Sequence, residues 1–273
     1  MGKYLSVDVI PDIVNGDISN VIQSNTSTQN IGSLDLLFDW TAVDVPSGSK
    51  LLVSVDGIIN AKDGDIAGSN SDGGVMLFFA KSVDGVAPTS LGTVGSLPEN
   101  GFGLPKHIQG QYFMIHANDQ SGLASNTYTK HWVTYPNMMN QSSQLEENAL
   151  QSFTSSPTVI DLEPGSGTNV GYDKLYVAGV QYLARSYETG VLVNGGSGFG
   201  TGVDTIAVDG TDARKIFNVG DTVYVHDNDT ALGTVKSVAQ NSIVLNSNLA
   251  VAITDNEELI NANPIRIRLG FEM

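Results

Sequence analysis

Asn263-Pro264-Ile265-Arg266-Ile267-Arg268-Leu269-Gly270-Phe271-Glu272-Met273 is the stretch on which the fold turns. Ile265, Ile267, Leu269 and Phe271 take alternate positions, with Arg266, Arg268, Gly270 and Glu272 between them. A period of two belongs to a strand with one face buried. Such a strand has no later partner in this sequence, so it must return to strands laid down earlier. The expected organisation is a β-sandwich of residues 1–190, completed by residues 263–273 and interrupted by an inserted small β-barrel module at 200–262.

Working outward, the composition agrees with an all-β chain. Charged residues make up 15% of the 273 residues, against roughly 25% in an average soluble protein. The 30 glycines supply turns, and the abundant Ser, Thr and Asn supply polarity without charge. A formal net charge of −16 opposes nucleic-acid backbones and anionic membranes as partners. The absence of cysteine removes disulfides, thiolate metal sites and cysteine nucleophiles. No stretch reaches the ~18 apolar residues of a membrane-spanning helix. The opening residues Met1-Gly2-Lys3-Tyr4-Leu5-Ser6-Val7-Asp8 alternate at once, without the apolar run of a signal peptide. Synthesis in a cytoplasm is the expectation.

Short strand patterns separated by turn residues cover most of the chain. They are expected at 3–13, 33–45, 50–60, 75–80, 111–117, 130–135, 158–162 and 174–186. Gly57 is read as a bulge within 50–60. Val75-Met76-Leu77-Phe78-Phe79-Ala80 is continuously apolar, as in a strand covered on both faces. Residues 88–105, rich in Gly and Pro, show no clear period and are read as a segment that orders on contact with a partner. Ser143 and Glu146 have capping-box spacing, which predicts a helix over 143–152. The run Gly195-Gly196-Ser197-Gly198-Phe199-Gly200-Thr201-Gly202 reads as a flexible linker. Beyond it, strands are expected at 205–208, 219–226, 231–239, 242–245 and 257–260, close enough together for a small barrel. On a flexible linker, with acidic turns at Asp209, Asp212, Asp227 and Asp229, that module is expected to project into solvent.

No catalytic, cofactor or metal site emerges. Gly165–Gly171 and Gly195–Gly202 lack both a following helical pattern and a Walker lysine, which phosphate binding needs. Asp63, Asp65 and Asp72, and separately Asp227 and Asp229, offer oxygen ligands for calcium without the spacing of a helix–loop–helix site, and read as turn chemistry. Asp161 and Glu163 share a strand face, with no second carboxylate pair converging on them. His107, His116, His131 and His226 lack metal spacing, and no Gly-x-Ser-x-Gly elbow is present. An enzyme is therefore not expected. Tyr172, Tyr176, Tyr182 and Tyr187 gather about the strand at 174–186, a residue type enriched at interfaces. With Ile265 and Phe271 of the closing strand, they are the expected interface residues.

Two segments carry a resemblance. Phe38-Asp39-Trp40-Thr41-Ala42-Val43-Asp44-Val45-Pro46-Ser47-Gly48 and Leu77-Phe78-Phe79-Ala80-Lys81-Ser82-Val83-Asp84-Gly85-Val86-Ala87-Pro88-Thr89-Ser90-Leu91-Gly92 resemble virion structural proteins of marine tailed bacteriophages. Residues 217–225, Phe217-Asn218-Val219-Gly220-Asp221-Thr222-Val223-Tyr224-Val225, resemble the small β-modules appended to such proteins. The resemblance implies a β-sandwich virion component made in the host cytoplasm, and the sandwich is expected to be jelly-roll-like. A capsid decoration (cement) protein that binds the major capsid protein as a homotrimer is the leading expectation. A tail-fibre or baseplate adhesin that binds host glycan or protein is the alternative.

Overall fold

A computed structural model describes residues 3–13, 34–46, 48–49, 51–60, 75–98, 108–114, 121–122, 128–133, 158–159, 172–181, 190–226 and 230–273. The fold is essentially all-β. Its strands are β1 (Tyr4–Val9), β2 (Leu36–Pro46), β3 (Leu51–Asn60), β4 (Val75–Lys81), β5 (Ile108–Met114), β6 (Ser121–Gly122), β7 (Tyr128–Val133) and β8 (Thr158–Val159). They continue as β9 (Tyr172–Gln181), β10 (Gly190–Val193), β11 (Thr205–Asp209), β12 (Thr222–Val225), β13 (Thr230–Ala239), β14 (Ser242–Leu245), β15 (Glu258–Asn261) and β16 (Ile265–Glu272). Only a short 3-10 turn, Ala213–Lys215, interrupts this pattern among the described residues. The expected helix over 143–152 lies outside them.

Two antiparallel sheets form a sandwich. One has the order β1-β16-β3-β7-β6, with β8 also paired to β3, and the other has the order β2-β9-β4-β5. The closing strand β16 thus lies between the N-terminal strand β1 and β3, with Leu269 opposite both Val7 and Val55. Ile265, Ile267, Leu269 and Phe271 enter one core with Leu52 and Val55 of β3, Leu37 and Phe38 of β2, Leu77 and Phe79 of β4, and Leu175 and Val177 of β9. A register shift opposite Gly270 and Phe271 lets β3 bury both Leu52 and Val55, which strict alternation would send to opposite faces. The bulge expected at Gly57 is absent, since Gly57 pairs in regular register with Ile267 and His131.

All six residues Val75–Ala80 of β4 are buried, because the second sheet is covered on its outer face as well. Leu91 packs there against Leu36, Met76, Phe78, Ala178 and Val180. Backbone bonds join Leu36 N–H to the Ser96 carbonyl at 2.8 Å and Gly95 N–H to the Leu36 carbonyl at 2.8 Å. The described part of the Gly/Pro-rich segment, residues 88–98, is therefore ordered by its own chain. Its glycines hid the cover: Pro88, Leu91 and Val94 are buried at every third position, the period of neither a strand nor an α-helix.

The six strands β10-β11-β14-β13-β12-β15 close into a barrel. Ile206 and Val208, Val223 and Val225, and Ile243 and Leu245 alternate inward, and Ile216 and Phe217 join the same core. Its first strand, β10, precedes the glycine run and pairs with β15, Gly190 opposite Ile260. Gly195–Gly202 is consequently a connection within the barrel rather than a linker before it. Phe199 and Ile253 exchange backbone bonds of 2.9 and 3.0 Å, and Gly202 N–H donates to the Leu249 carbonyl at 3.1 Å. At Gly198 the φ of +75° and the Ile253 carbonyl, which a Cβ would overlap, both require glycine. The glycines here serve close packing instead of flexibility.

Candidate interaction surface

Along β9, Leu175 and Val177 face the sandwich core, while Ala178 and Val180 face the covered outer side. Alternation puts Tyr176 on that outer side, one row beyond the cover, flanked by Ala42 of β2 and Ala80 of β4. Two alanines leave the aromatic ring standing between small neighbours, and Tyr176 remains half-buried. Trp40, also half-buried, packs against the same outer cluster and donates its Nε1–H to the Thr89 carbonyl at 3.0 Å. In the next row Asp44 pairs across the ladder with Lys174. Tyr176 with Trp40, Ala42 and Asp44 makes a surface of aromatic, small and acidic character, and its two aromatics are of the type enriched at protein interfaces.

Burial, and secondarily the charge of Asp44, raise the Tyr176 phenol above its ordinary value of 10.0. Both causes disfavour the phenolate, so the hydroxyl remains a donor through neutral pH. The stabilising contribution is full below the unfolded-state value and is lost as pH rises through the higher folded-state value. An ultraviolet titration is expected to resolve Tyr176 by comparison with Tyr176→Phe, and Asp44→Asn is expected to move its ionisation part-way back down. An unshifted Tyr176 signal in both backgrounds would contradict this environment.

The other expected interface residues fare differently. Tyr172 is placed in β9 opposite Pro46, and Tyr182 and Tyr187 lie outside the described residues. Ile265 and Phe271 are both 0% exposed, so the interface role expected for them is corrected. They are core residues, because β16 turns its apolar face toward the opposite sheet.

Among the described residues, no group of three or more His, Asp or Glu side chains is placed to hold a metal ion. Asp63, Asp65, Asp72, Asp161, Glu163, His107, His116, Asp227 and Asp229 lie outside those residues, as does Gly165–Gly171. His131 is placed in β7 opposite Gly57, and His226 is buried at the end of β12. In the glycine run, the N–H groups of Gly195 and Gly196 donate to Asp255 Oδ1 at 3.0 and 3.2 Å. The chain's own carboxylate thus takes the donors that a phosphate would need.

One polar cluster escaped the sequence reading. Asp221, fully buried, accepts from Asn218 N–H at 2.7 Å, from Asn261 Nδ2 at 2.8 Å and from Arg266 Nη2. Arg266 also donates to the Val219 carbonyl at 3.0 Å. Asn263 Oδ1 accepts from Thr222 N–H at 2.7 Å, and its Nδ2 reaches the Pro11 carbonyl at 2.9 Å. The only sequence signal was the pair Asn261 and Asn263 between two apolar strands, where a continuous ladder has no need of amides.

Comparison with known proteins finds no matching family model, no matching curated protein and no matching solved structure. No helix among the described residues is long and apolar enough to cross a membrane.

Proposed function

We propose that this chain is a non-enzymatic structural protein of a tailed-phage virion, a capsid decoration protein that binds the outer surface of the shell as a homotrimer. The observation that carries the reading is spatial. The segments that resemble phage virion proteins, 38–48 and 77–92, come together as β2, β4 and the cover over their outer face. Asp39 Oδ1 accepts from Leu91 N–H at 3.0 Å, and Trp40 donates to Thr89. The resemblance therefore falls on one packed unit, and the Tyr176 surface lies on the same side of the same sheet. A jelly-roll-like path is supported by the chain's repeated crossing between sheets: β1, β3 and β16 lie in one, while β2, β4 and β9 lie in the other. Without disulfides, such a subunit gains stability from binding its neighbours, and closed symmetry is the usual form.

Copy number in purified particles tests the role. A decoration protein is expected at a copy number comparable with that of the major capsid protein, whereas a few copies per particle would point to a fibre or baseplate component. Tyr176→Ala is expected to lower incorporation at least about tenfold, as loss of a central aromatic anchor does in other interfaces, with the melting temperature little changed. Full incorporation of a folded Tyr176→Ala protein would move the contact to another face.

A further inference from the structure

The barrel and the sandwich touch through more than the chain that joins them. Ile260 and Ala262, at and just beyond the end of β15, are buried in the sandwich core, and Tyr224 of β12 packs against it. Ile13 N–H donates to the Ala262 carbonyl at 3.0 Å, and Ala262 N–H donates to the Thr222 carbonyl at 3.0 Å. Across this junction lies the Asp221–Arg266 ion pair, with the aspartate wholly buried and the arginine side chain 27% exposed. Asp221 belongs to the barrel side, immediately before β12, and Arg266 is the second residue of the sandwich strand β16.

A buried charge left without its partner is strongly disfavoured, so a pair of this kind tolerates few relative positions of the bodies that carry it. The hydrophobic contact between the two is non-directional and by itself sets no angle between them. Fixed donors from Asn218 and Asn261 hold the Asp221 carboxylate, and the Val219 carbonyl holds the guanidinium, so each charge has one place to be.

We infer that Asp221 and Arg266 form an orientation lock that fixes the barrel on the sandwich and makes the two one rigid body. This holds whether or not the chain is a virion component. It replaces a freely projecting module with one whose direction is set by the sheet beneath it, so that anchoring either part aims the other.

The chain has no cysteine, so two can be introduced for spin labels without interference. Ser6→Cys in β1 and Lys236→Cys in β13 are both exposed and lie on the two bodies. In the otherwise unchanged full chain, the distance distribution between labels is expected to be single and narrow. Asp221→Asn, which keeps the shape and removes the charge, and Arg266→Met, which keeps most of the stem, are each expected to broaden it. Each variant is also expected to split a single calorimetric transition into two. A broad distribution in the unchanged chain overturns the proposal, even if a variant fails to fold. So does a narrow distribution with one transition in both variants.

Discussion

A chain ending at Pro264 is expected to lose the sandwich altogether while keeping the barrel. Removing β16 takes Ile265, Ile267, Leu269 and Phe271 from the core, each 0–1% exposed in the fold. At ~1.5–3 kcal/mol for each buried side chain, the loss is about 6–12 kcal/mol. A whole domain has only ~5–15 kcal/mol of net stability. The ladder suffers equally, because β16 is the strand that joins β1 to β3. The barrel keeps all six strands and its own core of Val208, Phe217, Val225, Leu245 and their neighbours, so residues 190–261 are expected to persist as a protease-resistant fragment. Limited proteolysis with mass spectrometry, beside a urea titration of the full chain, reads both halves of this outcome. A truncated chain that still protects residues 36–46 and 75–81 would show that β16 merely decorates a sheet able to stand without it.

The closing strand was legible because its signal is local. Alternating Ile, Ile, Leu and Phe needs no knowledge of the partner strands, and the unbroken apolar run of β4 likewise announced cover on both faces. What stayed hidden depends on partners remote in sequence. β10 has four residues, and its place in the barrel comes from β15, about seventy positions later; from sequence alone it reads as the approach to a linker. Composition cannot distinguish glycine needed for flexibility from glycine needed at Gly198, where the Ile253 carbonyl leaves no room for a side chain. Periodicity places Arg266 on an outward face. That placement omits the barrel, which brings Asp221 over the face and turns an apparent surface charge into half of a partly buried pair. In each case the deciding contact spans more than 40 residues. The candidate surface divides in the same way: the tyrosines on β9 were visible as a cluster, but the alanines that isolate Tyr176 come from two other strands.

The second large effect is expected where β2 crosses β9. Phe38 is 1% exposed, and its ring occupies the space above Gly179 where a Cβ would otherwise stand. Two register shifts in β2, between Leu36 and Phe38 and between Phe38 and Thr41, bring Leu37 and Phe38 together into the sandwich core. Phe38→Ala is expected to cost about 3–5 kcal/mol, through lost burial and the cavity left behind. Gly179→Ala is expected to cost about 1–3 kcal/mol, because the added methyl meets a ring that the surrounding core prevents from moving. The two losses should not add. Once the ring is gone, the methyl group fills part of the vacated space, so the double variant is expected to be no less stable than Phe38→Ala alone. Equilibrium urea denaturation of the four proteins measures this coupling directly, with the sum of the single losses exceeding the double by about 1–3 kcal/mol. Simple additivity would mean that ring and glycine do not share the space, and that the bend in β2 has some cause other than seating Phe38 over Gly179.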